Sequence, residues 1–360
     1  MKAKALTCLV FLAILGAVLN AWAEESVLLK AMSEELSRSF KNLKGKEFAP
    51  LYYLQYEVTE VTTHTMRASY GAIQTDDTER SRFLDVAVRV GDYSLDNTHE
   101  LRGGGGYGFY MARDTRIPLV DDADAIKTSL WLATDKAFKN AQERYIKVKS
   151  DKAVKVEEED PSPDFSRGKK HLYISEPVSI EFDSEKWKPI LREVSSRFKK
   201  YPYVMSSTAS ITVQSETKYI VDSEGTRLQF GQNAIHVTLH GIAKADDGME
   251  LTRARRYQAR DFGETPPVEL LIAAVDSIAD ELDRLRKAPL VEPYIGPAIL
   301  MGKASGVFFH EIFGHRIEGH RQKRSAEGQT FTKKVGQKIL PDFISVYDDP
   351  SLERFKDRPV

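Results

Sequence analysis

Apolar residues Leu28, Leu29, Met32, Leu36 and Phe40 recur at the spacing of one helix face, with Glu34, Glu35 and Lys41 set elsewhere, so Ser26 to Leu43 reads as an amphipathic helix. The pattern then changes to period two. Leu51 to Val90 alternates in β-rich segments such as Tyr52-Tyr53-Leu54-Gln55-Tyr56-Glu57-Val58 and Arg82 to Val90, which predicts a meander of antiparallel strands. A second helical stretch, Asp121 to Lys149, turns Ile126, Leu130, Trp131, Ala133, Ala137, Phe138, Ala141 and Tyr145 toward a core. Lys186 to Lys200 reads as a further surface helix. Strands resume at Ala209 to Val213, Thr217 to Val221 and Ala234 to Ala243, with a turn at Ser223-Glu224-Gly225 joining two of them.

Val268 to Leu285 again carries a helical stripe, Leu271, Val275, Ile278 and Leu282, and Ala288-Pro289-Leu290-Val291-Glu292-Pro293 breaks it. A domain boundary is placed there. Beyond it, Gly296 to Met301 reads as a strand leading into a helix that begins near Lys303. The order of elements predicts an α+β fold, with an N-terminal domain of antiparallel sheet and packed helices over 24–288 and a second domain starting at 289.

Two irregular stretches between these elements carry little chemistry. Gly103 to Gly106 lacks the Lys-Ser/Thr ending and the strand-to-helix context of a phosphate loop, and reads as a surface loop. Val156-Glu157-Glu158-Glu159-Asp160-Pro161-Ser162-Pro163 is a charged, proline-broken connector, because four successive acidic side chains do not converge on one ion.

Residues 1–23 stand apart from this pattern. Lys2 and Lys4 precede an apolar run from Ala5 to Val18, and Ala21-Trp22-Ala23 has the small-x-small form of a signal peptidase site. Cleavage after Ala23 and a periplasmic or secreted location are expected, with no membrane span after signal removal. The one cysteine, Cys8, lies in the removed segment, so disulfides and thiolate ligands are excluded from the rest of this sequence. Loss of Lys2 and Lys4 takes the formal net charge from −1 to −3. Such near balance gives no electrostatic reason to expect a nucleic-acid partner.

The chemistry concentrates in His310-Glu311-Ile312-Phe313-Gly314-His315. Zinc peptidases of the HExxH type place two histidines four apart on one helix face, with the intervening glutamate as general base. Here the spacing is five. In a regular helix that leaves the two side chains roughly 140° apart and about 7.5 Å along the axis, too far to share an ion held at about 2.0–2.1 Å. A single π-type turn would bring residue i+5 to the place of i+4, and Gly314, with no Cβ, would not crowd it. The site residues predicted are therefore His310 and His315 as metal ligands and Glu311 as general base, acting through Zn²⁺ in amide hydrolysis. Glu318, three residues beyond His315, is a candidate third ligand or an acceptor for an imidazole N–H, and His320 is a weaker candidate beyond Gly319. His236 and His240 share a strand face but lie about 13 Å apart, which makes them ordinary polar-side residues. His64, His99 and His171 are single in the sequence.

The run from Gly306 to His320 resembles the HExxxH helix of the TldD/PmbA family of metallopeptidases: His-Glu, three residues, a Gly-His ending and then a glutamate. Leu130 to Asp135 and Ser223 to Gly225 are compatible with the N-terminal domain of that family. The resemblance implies zinc, a substrate of peptides or unfolded segments, and a homodimer or a heterodimer with a homologue lacking the motif. It also implies that 289–360 begins a mainly β C-terminal catalytic domain whose later part supplies a cysteine as third zinc ligand. No such cysteine follows His315 here, so a truncated product is expected. The competing expectation is a non-enzymatic exported binding or dimerisation protein with a vestigial metal motif.

Overall fold

The computed structural model describes residues 25–45, 49–101, 115–153, 162–322, 330–349, 351–352, 354–355 and 358–359. The predicted signal segment, Gly103 to Gly106 and most of the acidic connector therefore lie outside the described residues. Helix α1 (Val27–Leu43) is followed by β1 (Leu51–Ser69), β2 (Ala72–Val90), the short β3 (Thr115–Arg116), α2 (Ala123–Lys152) and the short β4 (Leu172–Ile174). Then come α3 (Ser184–Ser196), β5 (Val204–Asp222), β6 (Arg227–Lys244), β7 (Glu250–Ala259) and α4 (Val268–Arg286). The strands form one sheet in the order β3-β2-β1-β5-β6-β4, with β7 also paired to β6. Only the β4–β6 pairing is parallel.

The helix starts follow from the sequence. Ser26 Oγ accepts from the Leu29 N–H at 3.1 Å, Asp122 Oδ1 from Ala125 at 2.8 Å and Asp183 Oδ1 from Lys186 at 3.0 Å. Each side chain satisfies a donor that the first helical turn leaves without an intrahelical partner.

One face of the sheet carries two separate cores. Helices α1 and α2 cover Tyr56 and Val58 of β1 and Tyr219 and Val221 of β5. Helices α3 and α4 cover Met66, Ile211 and Val213, together with Ile235, Val237 and Leu239 of β6. Because Tyr56, Val58 and Met66 are separated by even numbers of residues, the two cores share a face. Leu271, Val275, Ile278 and Leu282 anchor α4 in the second core, at about 1.5–3 kcal/mol for each side chain removed from water.

A polar band separates the cores. In register there, Glu60 opposes Thr217 and Thr62 opposes Ser215. Arg82, only 2 % exposed, crosses the band. Its guanidinium donates to Glu60 Oε2 at 3.0 Å, to Asp121 Oδ1 at 2.8 Å and to the Pro118 carbonyl at 2.9 Å.

Two sequence expectations are corrected here, and one strand is added to them. Ala209 to Val213 and Thr217 to Val221 belong to one continuous strand, because the polar residues between them fall in the band and still pair with β1 and β6. Strand β7, absent from those expectations, is an edge strand with Thr252, Arg256 and Gln258 exposed on one face and Leu251, Tyr257 and Ala259 packed on the second core on the other, interrupted by Arg253 and Arg255. Gly296 to Met301 forms no strand. No strand pairs with it among the described residues, and Ile295, Ile299 and Met301 are all exposed.

Beyond Arg286 the chain leaves both cores. Among the described residues from 289 to 349, Phe313 is the one buried side chain. A two-residue hairpin, Arg354–Phe355 with Arg358–Pro359, is the strand structure described in this part. No described helix is long and apolar enough to cross a membrane.

Candidate metal centre

The motif lies on a helix that starts at Lys303 and runs in α form to Phe309. At His310–Gly314 it widens into a π turn and then returns to α form at His315–Ile317. The His315 backbone N–H donates to the carbonyl of His310, five residues back, which is the hydrogen bond that defines the wider turn. This wider turn is what the five-residue histidine spacing calls for. Gly314 itself has ordinary helical angles, φ −51° and ψ −56°, so its conformational freedom is not used. A Cβ there would meet only His310 Nδ1, at 3.7 Å.

The turn brings the two imidazoles together. Their ring centroids are 4.4 Å apart with planes at 64°. Glu311 lies between them, Oε1 at 4.0 Å from His310 Nε2 and Oε2 at 3.8 Å from His315 Nε2. One ligand atom from each of the three residues falls within 4.8 Å of the others. Among the described residues this is the one group of three such side chains drawn that close. Two imidazoles with a carboxylate beside them suit a borderline cation such as zinc.

Glu318 occupies the far side of His315. Its Oε1 is 2.8 Å from His315 Nδ1, and its Oε2 accepts from Arg321 Nε at 2.6 Å. Hydrogen bonding from His315 and then Arg321 holds the Glu318 carboxyl below the usual carboxylate range. With Nδ1 engaged, His315 turns Nε2 toward Glu311 and His310. Arg321 thus holds the Glu318 carboxylate from the side away from His315, a contact the motif alone does not reveal. The His320 side chain lies outside the described residues.

The centre is open to solvent. His310 and Glu311 are about 60 % exposed, at 60 % and 61 %, against 28 % for His315. Beneath it, the Phe313 ring contacts Phe309 and Phe331 at centroid distances of 5.2 and 5.9 Å. That aromatic cluster is the local packing that supports the turn.

Residues 294–359 match the family model described as PmbA/TldA metallopeptidase C-terminal domain. Over that segment the chain is similar to the TldD/PmbA family, the one its HExxxH helix resembles. No curated protein sequence matches the chain. Among solved structures it is similar to a candidate modulator of a DNA gyrase from Thermotoga maritima MSB8, at 15 % identity and a TM-score of 0.42 over 72 % of this chain and 50 % of that one. It is also similar to TldE from Thermococcus kodakarensis, at 11 % identity and a TM-score of 0.35 over 70 % and 47 % of the two chains. A candidate modulator of DNA gyrase from Bacteroides thetaiotaomicron VPI-5482 gives 9 % identity and a TM-score of 0.37 over 68 % and 48 %. The chain spans about half the length of these proteins.

Proposed function

We propose that the protein is an exported zinc-dependent peptidase of the TldD/PmbA type, acting on peptides or unfolded segments. The observation that carries this reading is the π turn that draws His310, Glu311 and His315 together, on a segment matched by a metallopeptidase family model. In it, His310 and His315 would hold the metal as neutral imidazoles, and Glu318 orients His315 through Nδ1. Bound zinc would acidify water and polarise a peptide carbonyl. Glu311 then accepts the proton of the attacking water and returns it to the departing amine. A homodimer, or a heterodimer with a homologue, is part of the proposal, as is export through residues 1–23. So is the division at 288, which is supported by both cores ending at or before Leu282.

The third ligand would come from outside the described residues or from a partner. A second reading, a non-enzymatic exported binding or dimerisation protein with a vestigial motif, draws on the exposure of His310 and Glu311. Peptide cleavage by the metal-loaded protein separates the two. Glu311→Gln is expected to keep the metal and lose cleavage, and cleavage that survives this change rules out Glu311 as the base.

A further inference from the structure

The outer edge of β6 is paired at two places and open between them. Strand β4 covers Arg227 to Gln229, and β7 begins its pairing at Ile235. At the covered end, Arg227 N donates to the His171 carbonyl and the Gln229 carbonyl accepts from Ser175 N, both at 2.8 Å. Odd-numbered residues of β6 therefore turn their backbone groups to this edge. By the same alternation Gly231 and Asn233 present an N–H and a C=O each to the gap, with no backbone partner there among the described residues.

The gap opens on a cleft of about 680 Å³ lined by Gln232, Asn233, His236 and Gln258, with Glu216 and Arg260 contributing one charge of each sign. Asn233 Oδ1 and His236 Nδ1 are buried there without a hydrogen-bond partner. Burial and the neighbouring Arg256 lower the pKa of His236, which favours the neutral ring. Gly231 lets the segment after β4 cross the face of the strand beside the cleft, where a Cβ would lie 2.6 Å from Val178 Cγ2 and 2.8 Å from the Glu216 carbonyl oxygen, and Asn233 Nδ2 donates to the Ser179 carbonyl at 3.4 Å, which leaves the strand's outer edge as the open side.

Composition separates this gap from the other open edges. Strand β2 carries Asp76, Asp77, Glu79 and Arg80, and β7 carries Arg253, Arg255 and Arg256, the charged residues that normally discourage edge pairing. Phe230-Gly231-Gln232-Asn233-Ala234 has neither charge nor proline. Its backbone groups, neutral amides and orphaned polar atoms match the demands of a peptide backbone.

We propose that this notch binds an uncharged, extended peptide segment as an additional short strand, held by the backbone of Gly231 and Asn233 and by the side-chain amides around them. The gap of five residues takes about 17 Å of extended chain. The site belongs to the sheet and stands whether or not the HExxxH helix holds zinc.

Hydrogen exchange on the Glu311→Gln protein, which keeps a bound peptide intact, tests this with the acetylated and amidated probe Ser-Val-Thr-Val-Thr-Ser. Saturating probe is expected to slow exchange across 230–234 by at least about tenfold, and a fully N-methylated version to give no protection. Asn233→Pro removes one edge-facing N–H and should weaken the probe about tenfold. Protection by the methylated probe, binding that leaves 230–234 unprotected, or no binding at millimolar probe overturns the proposal. The methylation comparison needs no variant in the cleft, so it stands even if Asn233→Pro fails to fold.

Discussion

His315 Nδ1 and Glu318 Oε1 lie 2.8 Å apart, and this contact fixes which nitrogen of His315 turns toward His310. A carboxylate behind a ligating imidazole sets its tautomer and raises its basicity, and losing such a partner typically costs 10–100-fold in metal affinity. Glu318→Ala should therefore weaken zinc binding about 10–100-fold in chelator competition without abolishing it. Complete loss of zinc in that variant would make Glu318 a ligand instead.

Gly314 offers a second test, because the five-residue spacing suggests a glycine requirement that the geometry does not support. Its backbone is helical, and an added methyl group reaches only ordinary contact with His310. Gly314→Ala should keep zinc affinity within a few-fold and leave thermal stability equal or higher, since alanine gains up to about 1 kcal/mol over glycine in a helix interior. Loss of metal would mean that the turn must flex beyond the form described.

Arg82 is expected to govern stability without touching the metal centre. Removing it takes from Glu60, 17 % exposed, one of its two arginine partners, the other being Arg80, and takes from the exposed Asp121 its cation. Arg82→Ala should lower the unfolding free energy by about 1.5–3 kcal/mol in urea, the loss of hydrogen bonds between a buried guanidinium and charged groups. A loss below about 1 kcal/mol would place the pair among solvated surface contacts.

Acid sensitivity has an identifiable source between Arg197, just after α3, and helix α4. Arg197 and Tyr201 hydrogen-bond Asp276, and the Arg197 bond is the main cause holding its carboxyl below the ordinary range. A depressed folded-state pKa adds stability above the unfolded value of about 3.9, and that share is lost as pH falls through the folded value. Asp276→Asn should thus lower the thermal midpoint at pH 7, with the gap to the parent shrinking below about pH 4. A gap that persists unchanged at pH 2–3 would show that the aspartate acts through shape alone.

The parts legible in the sequence are those with one-sided burial. Helices α1, α2 and α4 each bury a single stripe, and the β1–β2 meander alternates, so periodicity reports them directly. Strand β5 read as two pieces because Ser215 and Thr217 face a polar band that only the placement of α1 to α4 creates. β7 was hidden by Arg253 and Arg255, which interrupt its apolar face and pair with Glu281 of α4. At the metal centre, spacing arithmetic sufficed for the π turn, since two histidines five apart can meet in no regular helix. The partner of Glu318, Arg321, depends on the turn after Ile317, where Glu318 takes extended angles that no residue pattern announces. The notch on β6 was equally silent, because it arises where two distant strands stop short of each other.

Zinc analysis of the purified protein near neutral pH tests the central claim most directly. The parent, equilibrated with zinc and then freed of excess, should retain about one ion per chain, as a site of two imidazoles and an adjoining carboxylate predicts. His310→Ala and His315→Ala should each retain none while staying folded. Parent protein without zinc above background, or either variant with the parent's zinc content, would contradict the assignment of His310 and His315.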